Sequence, residues 1–366
     1  MNIVSLGTDR NVFEPHSAVA KRLVRYGAGV DRYTVVVPCG KTQHLRLSNT
    51  VSAQGVASHG KISAFFALYF FLRKYFDSEK YDVLTVQDPY ILGLLGYWFS
   101  KIKHMGFEVQ VHGTEQNTFL RKYIMKFVLG RAHAVRTVSN RLASELKQFY
   151  GVPGKKITVV PIFTSVVEGM HERAEQKIQE IEQGYPFIFL TVSRLVPVKR
   201  IIEQIHAVRR LLNEGKNIQL WIVGTGLEEK SLKKYVKNFH IGQSVVFFRW
   251  KEKNDLEKLY KQAHCFLFTS KKEGWGLAVV EAASYGLPII MTNVGCAGEL
   301  IQNRKSGLVV PIGDLEALAS AMREILENDA LRQRLQTGAR EAVTHLPTLE
   351  ETLRRYRESW QKAIQL

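Results

Sequence analysis

Cys265-Phe-Leu-Phe-Thr-Ser-Lys-Lys-Glu273-Gly-Trp-Gly-Leu-Ala-Val-Val-Glu281 places two carboxylates eight positions apart (281 − 273 = 8). The apolar run from Cys265 reads as a buried strand, the glycines Gly274 and Gly276 as a tight turn, and Leu277 to Tyr285 as a helix. A strand, a turn and a helix start in succession put Glu273 at the carboxyl edge of a sheet and Glu281 about one turn into the helix. Ligands of open α/β sheets sit at that edge. Two glutamates alone fit a surface turn and a solvated helix face equally well, so the rest of the chain has to decide.

The chain alternates short β-type runs with helical patterns on both sides of one interruption. In the first half, Thr34–Pro38, Val83–Val86, Phe107–Val111 and Ala134–Val138 read as strands, after an opening strand in Asn2–Gly7. Segments 15–26, 62–76, 90–104, 117–130 and 140–149 read as helices. A polar stretch over 166–184, followed by Tyr185-Pro186, breaks the pattern. It then restarts with strands at Phe187–Val192, Ile218–Val223, Val245–Phe248, Cys265–Phe268 and Pro288–Met291. Helices intervene at about 199–214, 227–239, 254–262 and 276–285, and the chain is mostly helical from Leu315. Such alternation predicts parallel sheets covered on both faces. A length of 366 residues suits two domains. The expected division is 1–165, 166–345 and a terminal segment 346–366 with Leu349, Leu353, Tyr356 and Trp360 on one helical face.

Thr191-Val-Ser-Arg194-Leu-Val-Pro-Val-Lys199-Arg200 joins the first strand of the second half to a helix. Free backbone N–H groups and the helix dipole favour an anion at such a junction. Two added cations suit a diphosphate, Arg194 gripping oxygens bidentately and Lys199 acting as a mobile point charge. Gly224-Thr-Gly226 closes the next strand. Glu229 stands where a dinucleotide fingerprint needs its third glycine, which argues against an NAD site.

Taken together, Arg194-Leu-x-x-x-Lys199, the Gly224/Gly226 turn, Glu273-x7-Glu281, Asn293–Ile301 and Ser306–Pro311 resemble the retaining GT-B glycosyltransferases of family 4. The likeness is strong over about 187–312 and architectural before that. It implies an α/β GT-B fold: two facing doubly wound Rossmann-like domains, the first for the acceptor, the second for a nucleotide sugar, with the last helix returning to the first domain. It implies that Arg194 and Lys199 hold the donor diphosphate, that Glu273 lies by the donor sugar, and that Glu281 accepts hydrogen bonds from the ribose diol. An ionised carboxylate can accept from two hydroxyls at once. Gly224, Gly226 and the backbone of Gly274, Trp275, Gly276 and Leu277 complete the expected donor site. His112, at a strand end in Val111-His-Gly-Thr114, matches a family histidine near the reacting sugar. Asp9 and Asp88 also end strands and are acceptor-side candidates. Ser139 reads as a helix cap and Glu299 as structural. The chain departs from the family in three places: the first loop, Gly7–Phe13, lacks paired glycines, Val160-Pro-Ile-Phe lacks an Asn-Gly, and Arg249 replaces a glycine bordering the base. The base is therefore left open between UDP and GDP.

The expected reaction is transfer of a sugar, with retention of configuration, from a nucleotide diphosphate sugar to a glycan or lipid-linked acceptor. No Asp-x-Asp motif accompanies the site, so no metal and no cofactor is expected. A sugar-nucleotide epimerase or a phosphorylase on the same architecture would use the same residues.

Composition limits the other classes. The three cysteines, Cys39, Cys265 and Cys296, are far apart and form neither a zinc pattern nor a disulfide framework. No secretory signal is read at the start, and a cytoplasmic setting is expected. Residues 1–165 carry 22 Lys+Arg and 10 Asp+Glu, or +12 of the formal +17. That excess suggests an anionic partner. The apolar stretches Ile62–Leu72 and Ile91–Phe99, each followed by lysine or arginine, are too short to span a bilayer, which needs about 20 residues. They read as buried helices or as interfacial ones lying on an anionic membrane. No nucleic-acid module is recognisable. A purely basic binding protein would show salt-sensitive association and ignore UDP.

Overall fold

The computed structural model describes residues 1–114, 118–164, 184–249 and 253–365. Most of the polar 166–184 stretch lies outside the described residues. The chain divides into two compact units, Met1–Pro161 with Pro347–Leu366, and Ile162–Leu346.

The first unit holds an eight-stranded sheet built from β1 (Asn2–Leu6), β2 (Arg32–Cys39), β3 (Gln43–Arg46), β4 (Val51–Ala57), β5 (Val83–Val86), β6 (Gly106–Val111), β7 (Ala134–Thr137) and β8 (Ile157–Val159). Their order is β3-β4-β2-β1-β5-β6-β7-β8. Every pair is parallel except β3 with β4. The four residues of β5 and all six of β6 are buried, as expected of strands covered on both faces. The chain first moves from β1 toward β2, through α1 (Ala18–Gly27), and later moves the opposite way from β5 to β8. Right-handed crossovers then place α1 on one face. The other face receives α2 (Lys61–Ser78), α3 (Ile91–Ile102), α4 (Phe119–Arg131) and α5 (Asn140–Tyr150), packed side by side. Ser139 caps α5 by accepting from the Leu142 N–H at 3.1 Å.

The C-terminal helix Leu349–Ile364 lies against β6, β7 and β8 of this unit. Tyr356 stacks on Tyr26 of α1, their ring centroids 4.2 Å apart, so the helix shares the α1 face. Trp360 is fully buried. Beneath it, Glu108 and Arg136 form a buried ion pair at 3.2 Å. Thr85 Oγ1 donates to Glu108 at 2.5 Å, Ser359 Oγ donates to its other oxygen, and the guanidinium lies 3.7 Å from the Tyr356 ring centre. Removing one partner of a buried pair typically costs about 3–5 kcal/mol, because the other charge is left unpaired. The last turns of the chain are thus tied to the middle of a sheet formed some 250 residues earlier in sequence.

The second unit is a six-stranded, wholly parallel sheet: β9 (Phe187–Val192), β10 (Ile218–Val223), β11 (Val245–Phe248), β12 (Cys265–Phe268), β13 (Ile289–Thr292) and β14 (Leu308–Val310), ordered β11-β10-β9-β12-β13-β14. The chain leaves β9 in one direction and returns on its other side at β12. That reversal opens a crevice at the carboxyl ends of β9 and β12, the position where doubly wound sheets bind ligands. The same reversal occurs in the first unit between β1 and β5.

Candidate functional site

The loops that leave β9 and β12 carry Arg194, Lys199 and Glu273, three of the residues that the sequence singled out. From β9 the chain runs through Ser193 and the exposed Arg194 into a 3-10 turn, Pro197–Lys199, and then into the helix Ile201–Asn213. From β12 it runs through Thr269 and Ser270 to Glu273 and, at Gly276 (φ 103°), into the eight-residue helix Leu277–Ser284. Lys199 Nζ and Glu273 Oε2 form an ion pair, with the two side chains only 13% and 18% exposed. Lys199 Nζ also lies 5.2 Å from the centre of the Phe268 ring. Two expected site residues, 74 positions apart, therefore meet at the reversal of the sheet.

The two loops are braced against each other below this pair. Gln204 is fully buried, and its Nε2 donates to Thr269 Oγ1 at 2.9 Å. Thr269 Oγ1 in turn lies 3.0 Å from the Lys199 carbonyl and 3.2 Å from that of Arg200. The Lys271 N–H reaches the Val198 carbonyl at 2.8 Å. On the far side, the Cys296 N–H donates to the Trp275 carbonyl at 2.8 Å, so the Asn293–Ile301 segment supports the Glu273 turn.

Gly224 and Gly226 hold the Arg194 loop. Ser193 N–H donates to the Val223 carbonyl at 3.0 Å and Leu195 N–H to the Thr225 carbonyl at 2.9 Å. A Cβ on Gly224 would sit 1.9 Å from the Ser193 carbonyl oxygen, and one on Gly226 2.2 Å from that of Leu195. Gly224 also has φ 141°, a conformation that glycine adopts readily. Both glycines are explained by this close backbone approach. The Trp275 side chain is 3% exposed, and its indole nitrogen has no hydrogen-bond partner. Only its backbone faces the role expected of it, because the indole packs inward.

Glu281 lies in the second turn of Leu277–Ser284, and one of its carboxylate oxygens accepts from Tyr260 Oη at 3.0 Å. Tyr260 is 2% exposed and stacks on Tyr285 with ring centroids 5.1 Å apart. Burial, reinforced by the Glu281 charge, pushes the Tyr260 phenol well above its ordinary pKa. It remains a donor that fixes the carboxylate. Sequence reading missed Tyr260: it stands in the amphipathic helix Lys253–Gln262, and no local motif marks it.

In the first unit, Asp9 and Asp88 stand at the ends of β1 and β5, at the unit's own reversal. A Cβ on Gly7 would lie 2.8 Å from Gln87 Oε1, so the two loops touch. Asp9 accepts from the Asn11 N–H at 3.1 Å and caps the turn Arg10–Phe13. Asp88 accepts from the Tyr90 N–H at 2.9 Å, just before α3. Its carboxyl is raised above the usual aspartate range by burial, which outweighs the backbone N–H groups and Arg121. Each aspartate thus has a local structural job. His112 follows β6, and the next buried side chain, Thr114, donates to Glu145 at 2.7 Å and pins the loop to α5. Desolvation first, then Arg136 and Arg22, push the His112 imidazole down to about 4. The side chain keeps an edge exposed to solvent, and the ring is neutral at neutral pH.

Two Rossmann-like units, with paired cationic and acidic side chains at the sheet reversal of the second, define a GT-B glycosyltransferase fold. The family models agree: "Glycosyltransferase Family 4" matches residues 17–165 and "Glycosyl transferases group 1" matches residues 172–342. The chain belongs to the GT-B glycosyltransferases of family 4. It is 27% identical over 223 residues to N-acetyl-alpha-D-glucosaminyl L-malate synthase of Bacillus anthracis, covering 60% of this chain and 57% of that one. The chain thus spans little more than half the length of that curated relative. Among solved structures, the sucrose-phosphate synthase of Thermosynechococcus elongatus superposes with a TM-score of 0.82 at 18% identity, covering 99% of this chain and 98% of that one. HepE of Anabaena, solved in complex with UDP, gives 0.78 at 16% identity, covering 99% and 100%.

Proposed function

We propose that this protein transfers a sugar from a nucleotide diphosphate sugar to a glycan or lipid-linked acceptor of the cell envelope, with retention of configuration. The observation that carries the reading is the meeting of Lys199 and Glu273 at the β9/β12 reversal, with Arg194 exposed on the loop that leads to Lys199. In this reading the bond from the sugar C1 to the β-phosphate oxygen breaks while C1 bonds to the acceptor oxygen. The acceptor's proton passes to the leaving phosphate. Negative charge grows on the diphosphate as this happens. Arg194, Lys199 and the backbone N–H groups at the start of Leu277–Ser284 stabilise it, as preorganised donors do well.

Glu273, released from Lys199 as the diphosphate takes over that cation, is left to accept from sugar hydroxyls. Glu281, oriented by Tyr260, accepts from the ribose. Neutral His112, Asp9 and Asp88 of the first unit serve the acceptor side. Arg194 and Lys199 can supply the charge that a divalent ion would otherwise provide, so the reaction is proposed to need none. A uridine base is favoured because HepE was solved with UDP and with UDP-glucose.

The test is incubation with UDP- and GDP-sugars plus acceptor extracts, following released nucleoside diphosphate with and without EDTA. The anomeric configuration of the product is read by NMR. A new α-glycoside from an α-linked donor, formed equally in EDTA, is the expected result. Epimerised donor or sugar 1-phosphate in its place would replace this reading with an epimerase or a phosphorylase. Activity lost in EDTA and restored by Mn²⁺ would remove the metal-free mechanism.

A further inference from the structure

The helix layer of the first unit carries apolar surface that its fold does not use. The inner faces of α2, α3 and α4 interlock through aromatic rings: Tyr69 with Phe99 at 5.6 Å and Tyr97 with Phe127 at 5.8 Å between centroids. Their outer faces are apolar as well. Of the thirteen large apolar residues exposed among the described residues, eight lie on these three helices. They include Phe70 (63% exposed) on α2, Trp98 (54%) on α3 and Phe119 (88%) on α4. Phe66 and Phe70, like Trp98 and Ile102, are spaced i,i+4 and so stand on one side of their helix. Scattered exposed apolar residues need no explanation, but a concentration on adjacent helices marks an interaction surface.

The charge on α3 and α4 has one sign, and Asp77 is the acidic residue in the sequence of α2. The sequences of α3 and α4 contain Lys101, Arg121, Lys122, Lys126 and Arg131 and no aspartate or glutamate. Lys101, Lys122 and Lys126 are exposed. Arg73 and Lys74 extend the basic rim on α2. None of the described helices is long and apolar enough to cross a membrane. Apolar rings interleaved with lysine and arginine on a helix face fit a surface that is apolar below and anionic above, where aromatic tips enter the acyl boundary and cations meet headgroups. A protein partner would need a matching acidic, apolar groove, whereas an anionic bilayer offers both features at any orientation.

We infer that the outer face of α2–α4 docks the protein onto an anionic lipid bilayer, with Phe66, Phe70, Trp98, Ile102, Phe119 and Tyr123 entering the interface and Lys101, Lys122 and Lys126 holding the headgroups. The inference requires nothing of the donor site.

The experiment is cosedimentation of the whole protein with vesicles of phosphatidylcholine alone or mixed with phosphatidylglycerol, at low and high salt, alongside tryptophan emission. Phe70→Ser/Trp98→Ser removes apolar anchors and Lys122→Glu/Lys126→Glu reverses charge. All four positions are exposed, and thermal melts establish that each variant is folded. Binding is expected only to phosphatidylglycerol-containing vesicles, with a blue shift that the Trp98 variant lacks and weakening by salt. The affinity should drop about fivefold for each cation removed. Three results would overturn the inference: no binding to either vesicle, equal binding to both, or binding unchanged by Phe70→Ser/Trp98→Ser. A dimer in sedimentation velocity that these apolar substitutions abolish would also overturn it, by assigning the face to a second copy of the chain.

Discussion

Replacing Lys199 by methionine separates two jobs that the structure gives to one side chain. Without ligand, Lys199 neutralises Glu273 in a site where the two are 13% and 18% exposed. Solvent-exposed pairs contribute about 0–1 kcal/mol, and breaking a fully buried one costs about 3–5 kcal/mol. A pair at this depth should lie between, so Lys199→Met is expected to lower stability by about 1–3 kcal/mol. Glu273→Gln removes the charge from the other side. The double variant leaves neither charge stranded, and its loss should fall short of the sum of the singles by about 1–2 kcal/mol. Activity should behave differently. If Lys199 grips the diphosphate with a charge-assisted bond of about 1.5–3 kcal/mol, Lys199→Met loses about 10- to 150-fold in kcat/KM. The double variant recovers none of it. Urea unfolding supplies the stability cycle, and release of nucleoside diphosphate supplies the rates. Additive stability losses would mean that the pair does not form in solution. Activity of Lys199→Met within twofold of the parent would remove the lysine from the diphosphate site.

Gly224→Ala places a Cβ 1.9 Å from the Ser193 carbonyl at φ 141°, so the Arg194 loop must move. A stability loss of at least about 2 kcal/mol and weaker nucleotide binding are expected, measured by melts and calorimetry. Tyr260→Phe keeps the ring and its stack on Tyr285 but frees the Glu281 carboxylate. About 1 kcal/mol of orientation should appear as a severalfold higher donor KM with kcat nearly kept; an unchanged KM would deny Tyr260 its positioning role. His112 has a folded pKa depressed from 6.5 toward about 4, so the unfolded chain binds more protons in that window. Stability should therefore rise with pH between about 4 and 6.5, by less than one full proton because the ring is partly hydrated. His112→Asn should flatten that segment of the stability curve, and NMR titration of the ring should show the depressed midpoint directly.

The sequence made the helices and the central strands legible because their signals are local. β5, β9, β10, β11 and β12 begin and end where the apolar runs do. The hairpin of β3 and β4 was not legible. Gln43–Arg46 is polar, and Val51–Ala57 carries Gly55 in its interior. Their pairing comes from register with β2 rather than from their own composition. The placement of Arg194, Lys199, Glu273 and Glu281 on the loops and helix starts after β9 and β12 was readable because each sits at a strand end or helix start with a recognisable spacing. The residues that orient them were not. Gln204 reaches Thr269 across 65 positions and Tyr260 reaches Glu281 across 21, and no local pattern encodes a partner that only the folded sheet brings near. The glycines of 224–226 were visible as a turn, but their approach to the Ser193–Leu195 backbone needed the neighbouring strand.

In the proposed function, the β9/β12 crevice binds the diphosphate of a nucleotide sugar through Arg194 and Lys199. Calorimetric titration with UDP, GDP and ADP, on the parent and on Arg194→Ala, addresses it without any acceptor. The account predicts that one nucleotide, UDP by preference, binds the parent and that Arg194→Ala weakens it at least about tenfold, the effect of one lost charge-assisted contact. Binding of none of the three, or equal binding by Arg194→Ala, would contradict it.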